Sequence, residues 1–138
     1  MVKKARKIAY TTLLAMIMSV MPFSKAHRLA EPLPSERILK EGKASWYSRK
    51  SPGIKRHTAN MEVFDDEAFT CAMWGTKFNQ KLRVTNKANG KSIIVRVNDR
   101  GPHQRYANRG RIIDLTERAF HQLSPTKKGL IDVQVEFL

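Results

Sequence analysis

A chain of 138 residues is long enough for one folded domain and little more. Its 26 Lys and Arg against 12 Asp and Glu give a formal charge of +14, which draws it toward anionic polymers: cell-wall glycans, teichoic acids, lipid phosphates or nucleic acid. The single cysteine, Cys71, excludes an intrachain disulfide, so an apolar core must hold the fold.

The N-terminal segment reads as a targeting signal. Lys3, Lys4, Arg6 and Lys7 precede an apolar stretch from Ile8 to Phe23, and Ser24-Lys25-Ala26 puts small residues at the −3 and −1 positions of a cut after Ala26. That is the pattern of a secretory signal peptide over residues 1–26. The apolar stretch falls short of the about 20 residues a spanning helix needs. No cysteine stands near the cut to take a lipid, so no stable membrane anchor is expected after cleavage. Export to the periplasm or cell wall removes the protein from most nucleic acid, which is therefore not an expected partner. Residues 27–41, with Pro32 and Pro34, read as a linker, and the domain is expected over 42–138.

Lys43 to Tyr47 reads as a strand, followed by a basic loop over 48–57 with Pro52 and Gly53. Residues 65–74 fit a helical turn or an irregular strand equally. Leu82 to Thr85 is a second strand. Asn86 to Lys91 is a turn around Asn89-Gly90, the tight-hairpin dipeptide. The returning strand, Ile93 to Val97, puts Ile93, Val95 and Val97 on one face, and Arg100-Gly101-Pro102 ends it. A polar, Arg-rich loop is expected over 103–110 and a short strand over Arg111 to Ile113. Leu115 to Leu123 is the best helix, with Thr116 as N-cap, Ala119, Phe120 and Leu123 on one face, and Ser124-Pro125 as its stop. Ile131 to Phe137 alternates as a half-buried strand. Many short strands with one helix point to a small barrel, whose closure removes exposed sheet edges.

Two carboxylates stand at the edges of apolar segments. Asp99 follows Ile93 to Val97, and Asp114 follows Ile112-Ile113. Burying an Asp is costly unless it is paired or used. Two of them in so small a domain suggest an acid/base site. Partial burial and a like charge nearby both favour the protonated carboxyl that a general acid needs. Each also has a structural reading: Asp114 as a helix cap and Asp99 as a turn residue. Glu62, Asp65, Asp66 and Glu67 form an acidic cluster in a basic chain. Trp46, Tyr47 and Trp74 offer rings for stacking on sugars, though core packing is the plainer reading of Trp46. His57, His103 and His121 lack metal-ligand spacing, so no metal is expected, and no cofactor motif is present. Nothing near Cys71 supplies the base a nucleophilic thiol needs, so it reads as a small buried hydrophobe.

Taken in order, these segments resemble the rare lipoprotein A (RlpA) family of exported lytic transglycosylases. The resemblance runs through Gly42-Lys43-Ala44-Ser45-Trp46-Tyr47, Thr58-Ala59-Asn60 with Glu62, and Phe64-Asp65. It continues through Leu82 to Asn86, Asn89-Gly90, Val95 to Pro102 and Arg111 to Thr116, and closes at Gly129 and Val133 to Val135. It implies a mainly β fold, a six-stranded double-psi β-barrel with one or two short helices. It implies cleavage of peptidoglycan strands to 1,6-anhydro sugar ends, with Asp114 as first choice for the acid/base and Asp99 as its competitor or companion. Thr58, Glu62, Asp65, Arg100 and Trp74 are the expected groove residues. Basic residues at 49, 50, 55, 56, 105, 109 and 111 would flank the groove. One departure stands out: the family's Thr-Ala-Ala-His reads Thr70-Cys71-Ala72-Met73 here. A non-catalytic, expansin-like wall binder is the alternative function, and a module of an envelope complex is a further one.

Overall fold

The computed structural model describes residues 37–138; the expected signal peptide and most of the expected linker lie outside the described residues. Six strands, β1 (Leu39–Tyr47), β2 (Thr70–Ala72), β3 (Lys81–Asn86), β4 (Ser92–Asp99), β5 (Arg111–Thr116) and β6 (Ile131–Phe137), are joined by two short helices, α1 (Gln104–Ala107) and α2 (Glu117–Leu123). The strands close into a barrel in the order β1-β5-β2-β4-β3-β6. Two neighbouring pairs, β1 with β5 and β2 with β4, run parallel, and the others run antiparallel. This is the expected six-stranded double-psi barrel.

Strand alternation builds the interior. Leu82 and Val84, Val95 and Val97, Ile113 and Leu115, and Val133 and Val135 point inward with Ala44 and Cys71. Ala119, Phe120 and Leu123 on α2 pack against them. Full burial of each branched side chain contributes about 1.5–3 kcal/mol. Burial also pushes the Cys71 thiol far up, and the Asp114 charge adds to it, so the thiol stays protonated.

Several boundaries differ from the sequence reading. The helix expected from Leu115 starts at Glu117, because Leu115 and Thr116 pair with Trp46 and Tyr47 and complete β5. Thr116 does cap the helix, its hydroxyl accepting from Ala119 N. β1 begins at Leu39, inside the expected linker. The ambiguous 65–74 segment resolves into turns followed by the three-residue β2. The expected loop at 103–110 contains α1, capped by the His103 ring.

Two glycines are set by space. A side chain at Gly42 would stand 2.7 Å from Ile112 Cγ2 and 2.8 Å from the Gly110 carbonyl, so β1 could not lie this close to β5. Gly101, after β4, lies against β2 and bears on the site described next.

Candidate active site

The short strand β2 centres the site. A register shift between Cys71 and Ala72 aligns Ala72 with Asp99 of β4 on one side, and Ala72 also pairs with Asp114 of β5 on the other. Two strand spacings put the Asp99 and Asp114 backbones about 10 Å apart. Both residues line one cleft of about 410 Å3, with Tyr47, Trp74, Arg100 and Arg111 around them. A second cleft, of about 530 Å3, is lined by Lys55, Arg56, His57 and Thr58, and shares Ile54, Asp99 and Arg100 with the first. Asp99 therefore stands where two clefts meet. A third cleft, about 860 Å3, lies around Asn86 to Asn89 and Ser124 to Pro125 and holds none of the expected site residues.

Asp114 is 9% exposed. Its Oδ1 accepts from the Ser45 hydroxyl at 2.7 Å and from Arg111 Nε at 2.7 Å. Strand pairing accounts for the first contact, since Ser45 lies directly across from Asp114 on β1. The Arg111 guanidinium also lies over the Tyr106 ring, 4.8 Å from its centre. No hydrogen bond among the described residues reaches Asp114 Oδ2. Gly101 faces that oxygen: a Cβ there would be 3.5 Å from Oδ2 and 3.2 Å from the Ala72 Cβ. The helix-cap reading of Asp114 does not hold, because Thr116 caps α2.

Asp99 Oδ1 accepts from Ala59 N at 2.9 Å and from Arg100 N at 2.8 Å. The first of these bonds ties the loop between β1 and β2 to the end of β4. Arg100 itself lies over the Phe78 ring at 3.8 Å and donates to the Met73 carbonyl. Trp74 is 45% exposed, lines the cleft and donates from Nε1 to the Pro102 carbonyl at 2.6 Å.

Not every expected residue reaches the clefts. Thr58 lines the second one and donates to Asn60 Oδ1. Glu62 and Asp65 line neither. Glu62 is gripped by Arg96 at 2.6 and 2.9 Å, by Asn98 Nδ2 at 3.1 Å and by Asn60 Nδ2 at 2.8 Å. The Arg96 hydrogen bonds hold its carboxyl down at about 2. Asp65 folds back to accept from Glu67 N in a tight turn. Arg49 pairs with Asp66 instead of standing free. Met73 is 2% exposed and packs into the barrel core, so the position of the family's His does not open on the groove here.

Sequence reasoning missed Ser45, Gly101 and Tyr106. Ser45 had a readable signal: a hydroxyl between inward-facing Ala44 and Trp46 must lie on the opposite face of the strand. Tyr47, on that same face, is buried against Phe64, ring centres 4.7 Å apart, and its hydroxyl has no hydrogen-bond partner among the described residues. Burial pushes the phenol far up, and the Asp99 and Asp114 charges add to it, so it stays neutral.

Residues 39–135 match the sequence profile of the family described as "Lytic transglycolase". A "Probable endolytic peptidoglycan transglycosylase RlpA" from Nostoc sp. is 41% identical over 104 residues, covering 75% of this chain and 27% of its own length. The "Endolytic peptidoglycan transglycosylase RlpA" of Vibrio cholerae is 40% identical over 97 residues, covering 70% of this chain and 35% of its own. The chain thus spans about a third of the length of these relatives. Among solved structures, the Streptomyces papain inhibitor superposes with a TM-score of 0.57 at 24% identity, covering 73% of this chain and 94% of its own. A Clavibacter michiganensis expansin superposes with a TM-score of 0.54 at 21% identity, covering 73% and 50%. These two share the fold. The barrel and the sequence matches together show that the chain belongs to the lytic transglycolase family of RlpA-like double-psi β-barrels.

Proposed function

We propose that this domain is an endolytic peptidoglycan transglycosylase with Asp114 as its general acid/base. The observation that carries the reading is the asymmetry of the Asp114 carboxyl. Oδ1 is engaged by Ser45 and Arg111, while Oδ2 is unengaged beside Gly101 in a cleft that also holds Asp99. Arg111 can donate but not accept, and with Oδ1 taken the transferable proton belongs on Oδ2.

The proton on Oδ2 passes to the glycosidic oxygen as the bond from that oxygen to the muramyl C1 breaks. The 6-hydroxyl oxygen of the same muramyl residue then bonds to C1 and gives its proton back to the Asp114 carboxylate. The products are a 1,6-anhydro-muramyl end and a free 4-hydroxyl, with no water consumed. One carboxyl serves as acid and then base, so a second one placed to activate water is not required, unlike ordinary hydrolysis. Asp99 acts as the companion charge. Trp74 supplies an exposed ring edge for sugar, and Arg100 and Thr58 mark the run of the groove into the second cleft. Lys55 and Arg56 there suit the anionic groups of a wall polymer. The basic and apolar N-terminal segment supports export to the periplasm or wall.

The test is incubation of the 27–138 domain with purified glycan strands, with mass spectrometry for anhydro-muramyl ends. Products made by the wild type and lost in Asp114→Asn support the reading. Tight pelleting with sacculi and no product from the wild type would overturn it in favour of an expansin-like wall binder.

A further inference from the structure

The Tyr47 hydroxyl stands apart from the other polar groups of the cleft. It is one of three buried side-chain polar atoms without a partner among the described residues, and of the three residues Tyr47 alone lines the cleft holding Asp99 and Asp114. A buried donor that makes no bond is unfavourable, and Phe would fill the same space without that penalty. The ring needs no hydroxyl for its packing: it stacks on Phe64 and lies with Ala72 and Ile54 in a small apolar cluster.

Position supplies the missing use. Tyr47 follows Ser45 by two residues, so both side chains leave the same face of β1. That is the face on which Ser45 donates to Asp114. Tyr47 packs on Ala72, the residue flanked by the two carboxylates.

We infer that Tyr47 is a positioning residue for the carboxylate pair, its hydroxyl being the reserve donor that stabilises the pair when both members carry negative charge. This rests on the acid/base reading of Asp114. On that reading the cleft holds one negative charge before proton transfer and two after it. Ser45 and Arg111 already serve Oδ1 of Asp114, and two backbone N–H groups serve Oδ1 of Asp99. The oxygens left over, one on each residue, are the ones that gain charge or proton. A phenol O–H turns freely about its C–O bond and can follow that change, directly or through one water. Because burial and the two carboxylates keep the phenol neutral, it donates a hydrogen bond and does not itself deliver a proton.

The charged and titratable groups around Tyr47 are few. β5 brings Asp114 and Arg111, the end of β4 brings Asp99 and Arg100, and His103 and Tyr106 come from the α1 side. Cys71 on β2 faces the core as a protonated thiol. Tyr47→Phe alters none of these.

The experiment uses the wild-type 27–138 domain and Tyr47→Phe with two readouts. The first is carbon NMR of the Asp99 and Asp114 carboxyls as a function of pH, which does not depend on turnover. The variant is expected to titrate the pair higher by about half a pH unit or more, the equivalent of one modest hydrogen bond. The second is the rate of anhydro-end formation, expected to fall roughly tenfold with KM little changed and the alkaline limb displaced upward. Identical carboxyl titrations in the two proteins, or a downward displacement, would overturn the inference. A wild type that makes no anhydro ends would overturn the lytic reading instead, and the NMR comparison would still decide on Tyr47. A purely structural tyrosine would move the melting temperature and leave the titration where it was.

Discussion

Asp99 and Asp114 are paired in register with the same residue, Ala72, from opposite sides of β2. Fourteen residues holding a turn, α1 and the first half of β5 lie between them in sequence, yet one three-residue strand sets their spacing. The register shift between Cys71 and Ala72 makes this alignment, since without it Asp99 would sit one step along the strand.

The two carboxylates are expected to be unequal. Asp114→Asn keeps the shape and the Ser45 and Arg111 neighbours but removes the transferable proton. Activity should fall by about 10²–10⁴-fold with little change in melting temperature. Asp99→Asn removes a companion charge and weakens the anchor to Ala59 N, so a smaller loss of activity with a measurable loss of stability is expected. Anhydro-end formation and thermal melts on both variants check this. Equal losses, or a larger loss in Asp99→Asn, would reverse the assignment.

Gly101 is expected to resist substitution for reasons of space. In Gly101→Ala the new methyl would stand 3.2 Å from the Ala72 Cβ, tighter than ordinary van der Waals contact, and 3.5 Å from Asp114 Oδ2. Either β2 gives way or the methyl screens the oxygen that carries the proton. Activity should drop by more than the stability change explains, while glycan binding is largely retained. A variant as active as the wild type would show that Oδ2 is not the reacting oxygen.

Much of the barrel was legible in the sequence. β6 and the β3–β4 hairpin stand out because inward and outward residues alternate strictly and Asn89-Gly90 marks the turn, with Gly90 at φ 73°. β2 was not legible: its three residues are all buried, so no period shows. Leu115 misled because it lies four residues before Ala119 and eight before Leu123, a helical spacing, while its own backbone pairs with β1. The carboxylates of the site were legible as acids ending apolar strands. Their neighbours were not, because Ser45 reaches Asp114, and Tyr47 joins the same cleft, only through pairing of β1 with β5 across most of the domain. Glu62 shows the reverse limit. An acidic cluster looks the same in sequence whether it faces a groove or grips an arginine 34 residues away.

That grip predicts a pH dependence. Arg96 lowers the Glu62 carboxyl to about 2 from an ordinary value near 4.5. A lowered folded-state value means the bracket's contribution is complete above the ordinary value and is lost as pH falls from about 4.5 toward 2. The side chain is more than a third exposed, so solvent screening limits the contribution to about 1 kcal/mol or less. Melting temperature measured from pH 6 down to 2.5 should fall less steeply in Glu62→Gln than in the wild type. Parallel curves would mean the bracket makes no net contribution.

Met73 gives the sharpest contrast with the family pattern. Replacing it by the family's His would seem to restore a groove residue, but its side chain is 2% exposed and packs in the core. An imidazole there would lie within the apolar core cluster and would lack a partner for at least one ring nitrogen. Such a substitution costs about 2–4 kcal/mol through lost packing and an unsatisfied polar group. Met73→His should therefore melt well below the wild type and gain no activity at temperatures where both are folded. A variant that stays stable and becomes markedly more active would show that this segment can turn outward, with the position-73 side chain in the groove. Thermal melts read alongside anhydro-end formation separate the two outcomes.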